Sequence, residues 1–302
     1  MVRLAALPVV VVVSILLAAM DFVVSYPKSG NTWMRLVAAA YGTEANHEDL
    51  AQFRTVESNI PELAFSDIGI SHFQAVSPIP VSDIDFLPQA RLRPAAMLML
   101  AQNVSRHDSR EPLLVQSHHF YKEVSSIPLW HSTWVDRVVN PVRDPREVCC
   151  SHAAHFGNDY EESARYMASS NASTGASTET SLTWMLGSWS DHIRSWLSVK
   201  DFPVFTVRYK DMKADPVGQF YDILEFLDVP DLSIDAVEDA VARTQFDRLK
   251  ETAAEQGAPG TGHQGEFFRS GKTDGWKDEL PVEVARKIEK DHGEVMEALG
   301  YL

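Results

Sequence analysis

Short apolar runs alternate with segments of helical periodicity along most of this chain. Four runs are typical of buried strands: DFVVSYP (21–27), EPLLVQSHHF (111–120), WVDRVVNPVRDP (134–145) and FPVFTVRY (202–209). Between and after them, apolar positions recur every three or four residues, as on one face of a helix. This alternation predicts an α/β fold, a single domain with a mainly parallel central sheet flanked by helices.

Four segments are predicted to form amphipathic helices: NTWMRLVAAAY (31–41), SLTWMLGSWSDHIRSWL (181–197), DPVGQFYDILEFLDV (215–229) and PVEVARKIEKDHGEVMEALGYL (281–302). In the second of these, Met185, Trp189, Ile193 and Trp196 follow each other at intervals of four, four and three. That spacing puts them on one face, which favours a place in the core over a ligand-binding box.

Two stretches of small and polar residues, 167–181 and 252–265, contain little that could be buried. We expect both to be loosely held loops, because segments of this composition gain little from packing. Each is either an ordinary surface loop or a lid over a site.

The chain begins with an uncharged apolar segment, residues 4–20, before the first predicted strand. We therefore expect residues 1–20 to be one of three things. They are an extension that does not enter a membrane, a stretch added by a start site assigned upstream of the true start at Met20, or a signal sequence or membrane anchor. The 302 residues, 45% of them hydrophobic, suit one domain over 21–302. We expect a cytoplasmic protein, or a membrane-anchored one if the apolar segment is an anchor.

A formal net charge of −15 disfavours a broad nucleic-acid surface, so any anion must be held locally. The two cysteines, Cys149 and Cys150, are adjacent, which suits neither a disulfide framework nor a metal cage. The sequence therefore predicts a reducing compartment and no metal site.

The stretch YPKSGNTW (26–33) interrupts the first strand with a turn and then opens a helix. A turn of this kind points main-chain N–H groups and the positive end of the helix dipole at one spot, which is a phosphate site. Lys28 adds a positive charge, while Ser29, Asn31 and Thr32 have side chains that can donate hydrogen bonds. This P-loop-like element predicts a nucleotide site.

The spacing differs from a Walker A motif, because Lys28 precedes Gly30 and an upstream glycine is missing. A nucleotide-dependent small-molecule kinase is thus disfavoured, although it stays an alternative, as does a non-catalytic nucleotide-binding module.

YPKSGNTW resembles the 5′-phosphosulfate loop of the cytosolic-type sulfotransferases, which use 3′-phosphoadenosine 5′-phosphosulfate (PAPS). Three later stretches, NPVRDPREVCCSHAAHF, VRYKDMKADPVGQFYDILEFL and FFRSGKTDGWKDEL, are similar to further segments of that family in the same order. The likeness spans residues 21–277 and looks closest to bacterial members such as the glycopeptide-antibiotic sulfotransferases. It implies a cofactor-binding set of Lys28, Ser29, Gly30, Asn31, Thr32, Trp33, Arg143, Ser151, Tyr209, Arg269, Ser270 and Gly271.

The resemblance also implies a catalytic histidine at the end of the second strand, where His118 aligns with it. A neutral imidazole can take the proton from an attacking hydroxyl, so His118 and Lys28 are the predicted catalytic residues. His119 is expected to point to the opposite side of the strand. His152 and His155 are weaker candidates for the wall of the acceptor pocket.

The implied reaction transfers a sulfuryl group from PAPS to a hydroxyl group, without a metal. Two departures from the family pattern stand out: Gln116 replaces a lysine that assists the transfer, and Ser270 replaces a lysine of the 3′-phosphate loop. The acceptor stays open between saccharides, phenols, steroids and other secondary metabolites, and so does the oligomeric state.

Overall fold

The computed structural model describes residues 19–51, 63, 65–82, 84–105, 112–175, 181–255 and 273–302. Its strands are β1 (Met20–Val24), β2 (Val115–Ser117), β3 (Glu123–Val124), β4 (Ile127–Pro128), β5 (Val135–Val142) and β6 (Val204–Arg208). Its helices are α1 (Asn31–Gly42), α2 (His47–Ala51), α3 (Ile70–Gln74), α4 (Phe86–Val104), α5 (Pro145–Phe156), α6 (Tyr160–Met167), α7 (Trp189–Leu197), α8 (Tyr209–Ala214), α9 (Pro216–Phe226), α10 (Ile234–Arg243), α11 (Phe246–Glu255), α12 (Trp276–Glu279) and α13 (Val282–Ala298).

Four strands form a parallel sheet in the order β2-β1-β5-β6, and β3 pairs with β4 in a separate antiparallel hairpin. Phe22 of β1 lies opposite Val115 of β2 and Val138 of β5. The predicted α/β fold with a parallel central sheet is therefore confirmed. The strands are shorter than the apolar runs, because the chain leaves the sheet after Val24 and after Ser117 to form turns at its carboxyl edge.

Both faces of the sheet are covered, as expected of parallel strands. Val23 packs into a cluster with α1, α9 and α10, while Phe22 and Val24 pack on the other side with α4. A third cluster joins α5, α7 and α13 around Val142 and Trp189. The alternation along β1 follows from the opposite directions of successive side chains in a strand.

The helix predicted over 181–197 begins only at Trp189. Gly187 has φ +65°, which ends any helical path before it, and the Ser188 hydroxyl accepts the N–H of Asp191 as an N-cap. Met185 instead bridges to Ser173, so it does not share the helix face. The burial predicted for Trp189, Ile193 and Trp196 is confirmed.

The expectation that 167–181 is loosely held is wrong for 167–175, while 176–180 lie outside the described residues. The carbonyl of Ala172 accepts the N–H groups of Leu186 and Gly187, and Thr174 donates to the carbonyl of Trp184. These bonds hold the segment against 184–187. In the other predicted loop, 252–255 continues helix α11, and 256–265 lies outside the described residues.

None of the described helices contains an apolar stretch long enough to span a membrane. Residues 1–18 lie outside the described part of the chain, whereas Met20 is buried as the first residue of β1.

Candidate active site

A central cavity of about 640 Å³ opens at the carboxyl edge of the sheet, where β1, β2, β5 and β6 end. The carboxyl edge is where parallel α/β sheets usually bind ligands. Nine of the predicted site residues line it: Lys28, Gly30, Asn31, Thr32, Trp33, His118, Arg143, Ser151 and Tyr209. Ser29 does not, and Arg269, Ser270 and Gly271 lie outside the described residues.

The turn between β1 and α1 contributes to the cavity lining together with the first residues of α1, and we call these residues, 25–33, the cradle. Gly30 is the N-cap of α1 with φ +112° and offers no side-chain cap, so the first N–H groups of the helix stay available. Lys28 also has a left-handed backbone, with φ +71°. A Cβ at residue 30 would lie 3.0 Å from Cδ2 of Tyr209, so this turn requires glycine for its φ and for this close approach.

The side chain of Asn31 donates hydrogen bonds to main-chain carbonyls within the protein. Its amide nitrogen is 3.1 Å from the carbonyl oxygen of Val23 and 3.3 Å from that of Ser117, so it links α1 to β1 and β2. What Asn31 offers to the cavity is its main-chain N–H. The side chain of Ser29 is fully buried, and its hydroxyl has no hydrogen-bond partner among the described residues.

Arg143 lies at the end of β5 and is held on three sides. Its Nη1 donates to the carbonyl of Lys28 at 3.2 Å, its Nη2 pairs with Glu147 at 3.1 Å, and its guanidinium lies 4.6 Å from the centre of the Tyr209 ring. Burial raises the pKa of Glu147, although Arg143 opposes this. Ser151, two turns along α5, lines the same wall. The predicted pair of Arg143 and Ser151 is thus brought to the cradle.

His118 follows β2 and faces the cavity. Its Nδ1 is 2.7 Å from the carbonyl oxygen of Ser25, an acceptor only, so Nδ1 carries the proton and Nε2 keeps its lone pair. Burial lowers its pKa to about 4, and the nearby cations of Arg35 and Lys28 act in the same direction. The imidazole is therefore neutral near pH 7, as a general base requires.

His119 points away from the cavity, as the strand pattern predicts. It is fully buried, and its Nδ1 accepts the N–H of Met185 at 3.1 Å. Burial lowers its pKa to about 3, with Arg93 acting in the same direction. His119 therefore connects β2 with the segment before α7.

One wall of the cavity is aromatic. It consists of His152, Phe156, Tyr166 and Trp184, which we call the aromatic end. His152 is stacked on Tyr166 with 4.8 Å between ring centres, and the rings of Trp184 and His118 are packed edge to face with 4.7 Å between their centres. His155 also lines the cavity, so both weaker histidine candidates belong to its lining.

Asp67 holds Trp184 in place through a hydrogen bond to its indole N–H. This role of Asp67 was not predicted from the sequence. The indole N–H donates to one carboxylate oxygen at 2.7 Å, and the other oxygen pairs with Arg93 at 2.6 Å and accepts the Ser117 hydroxyl at 2.7 Å. Burial acts to raise the pKa of Asp67, but these partners bring it below its ordinary value. A lone aspartate in SDIGI carries no sequence signal for such a contact.

The opposite end of the cavity is lined by Trp33, Phe246, Leu249 and Lys213. The ring of Trp33 packs edge to face on Phe220 at 5.1 Å, and the ammonium of Lys213 lies 5.7 Å from its centre. These apolar faces fit a planar base. Phe246 begins α11, and its helical periodicity alone would assign it to the core.

The described residues contain no cluster of three or more His, Cys, Asp or Glu side chains suited to a metal ion.

Comparison with known proteins gives a match of residues 21–300 to a family model described as a sulfotransferase domain. The chain is 29% identical over 175 residues to Sulfotransferase 2A6 of Rattus norvegicus, which covers 53% of this chain and 56% of that protein. It is 23% identical over 284 residues to the amine sulfotransferase of Oryctolagus cuniculus, covering 91% and 80%. The chain thus spans just over half the length of the first relative. Both are mammalian, and the expected closeness to bacterial members stays a prediction.

Two solved structures share the fold. One is retinol dehydratase in complex with androsterone and the inactive cofactor PAP, with a TM-score of 0.57, 19% identity and coverage of 91% of this chain and 80% of that one. The other is mouse sulfotransferase SULT7A1 complexed with PAP, with a TM-score of 0.55, 18% identity and coverage of 92% and 84%.

Proposed function

The chain belongs to the sulfotransferase family, and we propose that it transfers the sulfuryl group of PAPS to a hydroxyl of an acceptor with an apolar or aromatic ring. The observation that carries this proposal is the position of His118. A neutral imidazole whose Nε2 carries its lone pair lines the same cavity as the amide cradle and Lys28.

The donor nucleotide is proposed to lie along the cradle. The main-chain N–H groups that open α1, together with Lys28, suit the phosphosulfate, and Arg143 with Ser151 suits the 3′-phosphate. Trp33 and Phe246 suit the base. Arg269, Ser270 and Gly271 remain predicted contacts, because they lie outside the described residues.

In the proposed reaction the acceptor oxygen attacks sulfur in line with the leaving phosphate oxygen. The new O–S bond forms while the S–O bond to the phosphate breaks, and Nε2 of His118 takes the hydroxyl proton. The leaving nucleotide, PAP, keeps the electron pair, and Lys28 stabilises the charge that builds there. Lys28 lines the same cavity as His118 and His152. Burial lowers the pKa of both histidines, and the cation of Lys28 acts in the same direction.

The acceptor is proposed to rest on the aromatic end. Phe156, Tyr166 and Trp184 give flat apolar surfaces beside His118, whereas a saccharide would need more polar groups than this wall provides. A phenol or a compact polycyclic alcohol fits this chemistry best.

The test is incubation of the purified protein with 35S-labelled PAPS and a panel of phenols, polycyclic alcohols and sugars. We expect transfer to phenols or polycyclic alcohols, reduced on the order of 10² to 10⁴-fold in His118→Ala with PAP binding kept. His47→Ala, at a histidine that does not line the cavity, is the matched control. Failure of the wild-type protein to bind PAP contradicts the proposal.

A further inference from the structure

Arg35, on the first turns of α1, points into the protein and is 5% exposed. Its Nη1 donates to the Oε1 oxygen of Gln116 at 2.9 Å, and its Nη2 donates to the carbonyl of Leu63. Gln116 belongs to β2 and lines the central cavity beside His118. A buried cation therefore lies directly behind a residue of the proposed reaction centre.

The partners of Gln116 allow only one orientation of its amide. A guanidinium group only donates, so the side facing Arg35 must be the oxygen. The amide nitrogen then faces His118, and it lies 3.3 Å from Nε2 of the imidazole. Because Nδ1 of His118 donates to Ser25, Nε2 is an acceptor, and the bonds run in one direction from Arg35 through Gln116 and His118 to Ser25. A flipped amide would place two donors face to face at Arg35 and two acceptors face to face at His118.

We propose that Arg35 is a positioning residue, which holds the Gln116 amide so that its N–H points at Nε2 of His118 and at the group transferred there. This inference rests on the proposed function. An acceptor hydroxyl that donates its hydrogen bond to Nε2 displaces the Gln116 N–H from that atom. The Gln116 N–H then lies beside the hydroxyl oxygen and the sulfuryl oxygens. Gln116 stands where the family resemblance implies a lysine, so a neutral donor oriented by a buried cation replaces a charged donor.

The charge of Arg35 has a second consequence for the same centre. It disfavours a proton on His118 and so adds to the lowering of the pKa of that histidine. Arg35 therefore supports the neutral form of the base and also orients the donor beside it.

A double-mutant cycle tests whether Arg35 acts through Gln116. PAPS and 4-nitrophenol are the substrates, and kcat is measured for Arg35→Met, Gln116→Met and the double variant. We expect Gln116→Met to lower kcat about 10²-fold, as for loss of a transition-state donor. Arg35→Met lowers it at least tenfold, and the double variant is no slower than Gln116→Met. Effects that multiply in the double variant overturn the proposal.

Two further variants separate positioning from stability. Arg243 donates to the carbonyls of Ala40, Thr43 and Ala45 in the way Arg35 donates to Leu63, but it does not line the cavity. Arg243→Met is therefore expected to lower Tm and leave kcat within twofold. Gln116→Lys, placed in the Arg35→Met background, restores at least tenfold of the lost kcat, because a lysine needs no partner to orient it. Absence of this rescue counts against the proposal.

A measurement without turnover keeps this inference separate from the proposed function. The side-chain NH2 signals of Gln116 are assigned by NMR from their loss in Gln116→Met. They are expected to shift in Arg35→Met and to stay in place in Arg243→Met. If the protein fails to bind PAP, the proposed function is wrong, but the NMR shift still tests whether Arg35 holds the Gln116 amide. Gln116 signals that stay in place in Arg35→Met overturn the positioning role of Arg35.

Discussion

The cradle and the aromatic end of the central cavity are built in opposite ways. The cradle is one continuous segment, residues 25–33, whose binding groups are main-chain N–H groups set by a left-handed turn, although Arg143 and His118 donate hydrogen bonds to its carbonyls. The aromatic end is assembled from α5, α6 and the segment before α7, and its groups are side chains. A site for a charged group can thus be encoded locally, whereas a site defined by shape depends on tertiary packing.

Of the two regions, the cradle is expected to show the larger effect, in Lys28→Ala. Loss of this cation removes stabilisation from the leaving group, so kcat for 35S transfer should fall on the order of 10² to 10³-fold. PAP affinity, measured by calorimetry, should fall far less, because the main-chain N–H groups remain. An unchanged kcat would separate Lys28 from the reaction.

Gly30→Ala is expected to weaken the cradle through its backbone. The added Cβ meets Tyr209 at 3.0 Å, and φ +112° is strained for alanine, so PAP affinity should fall about tenfold and stability by ~1–3 kcal/mol. Gly157→Ala is the matched control, with φ +72° and no atom within 4 Å of the new Cβ. That variant should lose stability while PAP binding stays normal. Equal loss of PAP binding in the two variants would contradict the local role of Gly30.

Trp184→Leu tests the aromatic end by itself. The variant removes the ring beside His118 and leaves Asp67 without its indole donor. We expect KM for 4-nitrophenol to rise roughly tenfold, the scale of a lost ring contact in an apolar pocket, with PAP affinity within twofold. A drop in PAP affinity as large as the rise in KM would show that the two halves are not separate.

The smallest effect concerns pH and the histidines. His152 has its pKa lowered by burial to about 4, against an unfolded value near 6.5, so between these values the unfolded chain binds the additional proton. Stability therefore rises with pH across this window, by about 1.4 kcal/mol per unit for one such histidine. The free energy of unfolding is measured with denaturant between pH 4.5 and 6. It should rise less steeply with pH in His152→Gln than in the wild-type protein, by the contribution of one proton. An unchanged slope would mean that His152 titrates alike in the folded and unfolded states.

Other buried groups set the background of that measurement. His118, His119, His192 and His292 also have pKa values lowered by burial and add to the slope. Asp21 works against them, because burial raises its pKa to about 7, and its contribution is lost as pH rises toward that value. Since His118 is neutral above about pH 5, the transfer rate should be flat from pH 5.5 to 8 and fall below pH 4 as the base becomes protonated.

Periodicity predicted the sheet well and helix starts less well. The apolar runs located β1, β2, β5 and β6, because a parallel strand that is buried on both faces is apolar at nearly every position. The start of α7 was predicted too early. The spacing of four residues between Met185 and Trp189 fits a single helix, but it also fits an extended segment that turns at Gly187 before a helix begins at Trp189. The interactions that decide between them come from Ala172 and Ser173.

The sequence by itself determined the cradle, the strand that presents His118 and the family, because these depend on short segments with local backbone chemistry. Only the tertiary structure decided that Arg35 lies behind Gln116, that Asp67 holds Trp184, and that Asn31 ties two strands together. Contacts between residues far apart in the chain have no local pattern, since they arise when packing places two side chains within hydrogen-bonding distance.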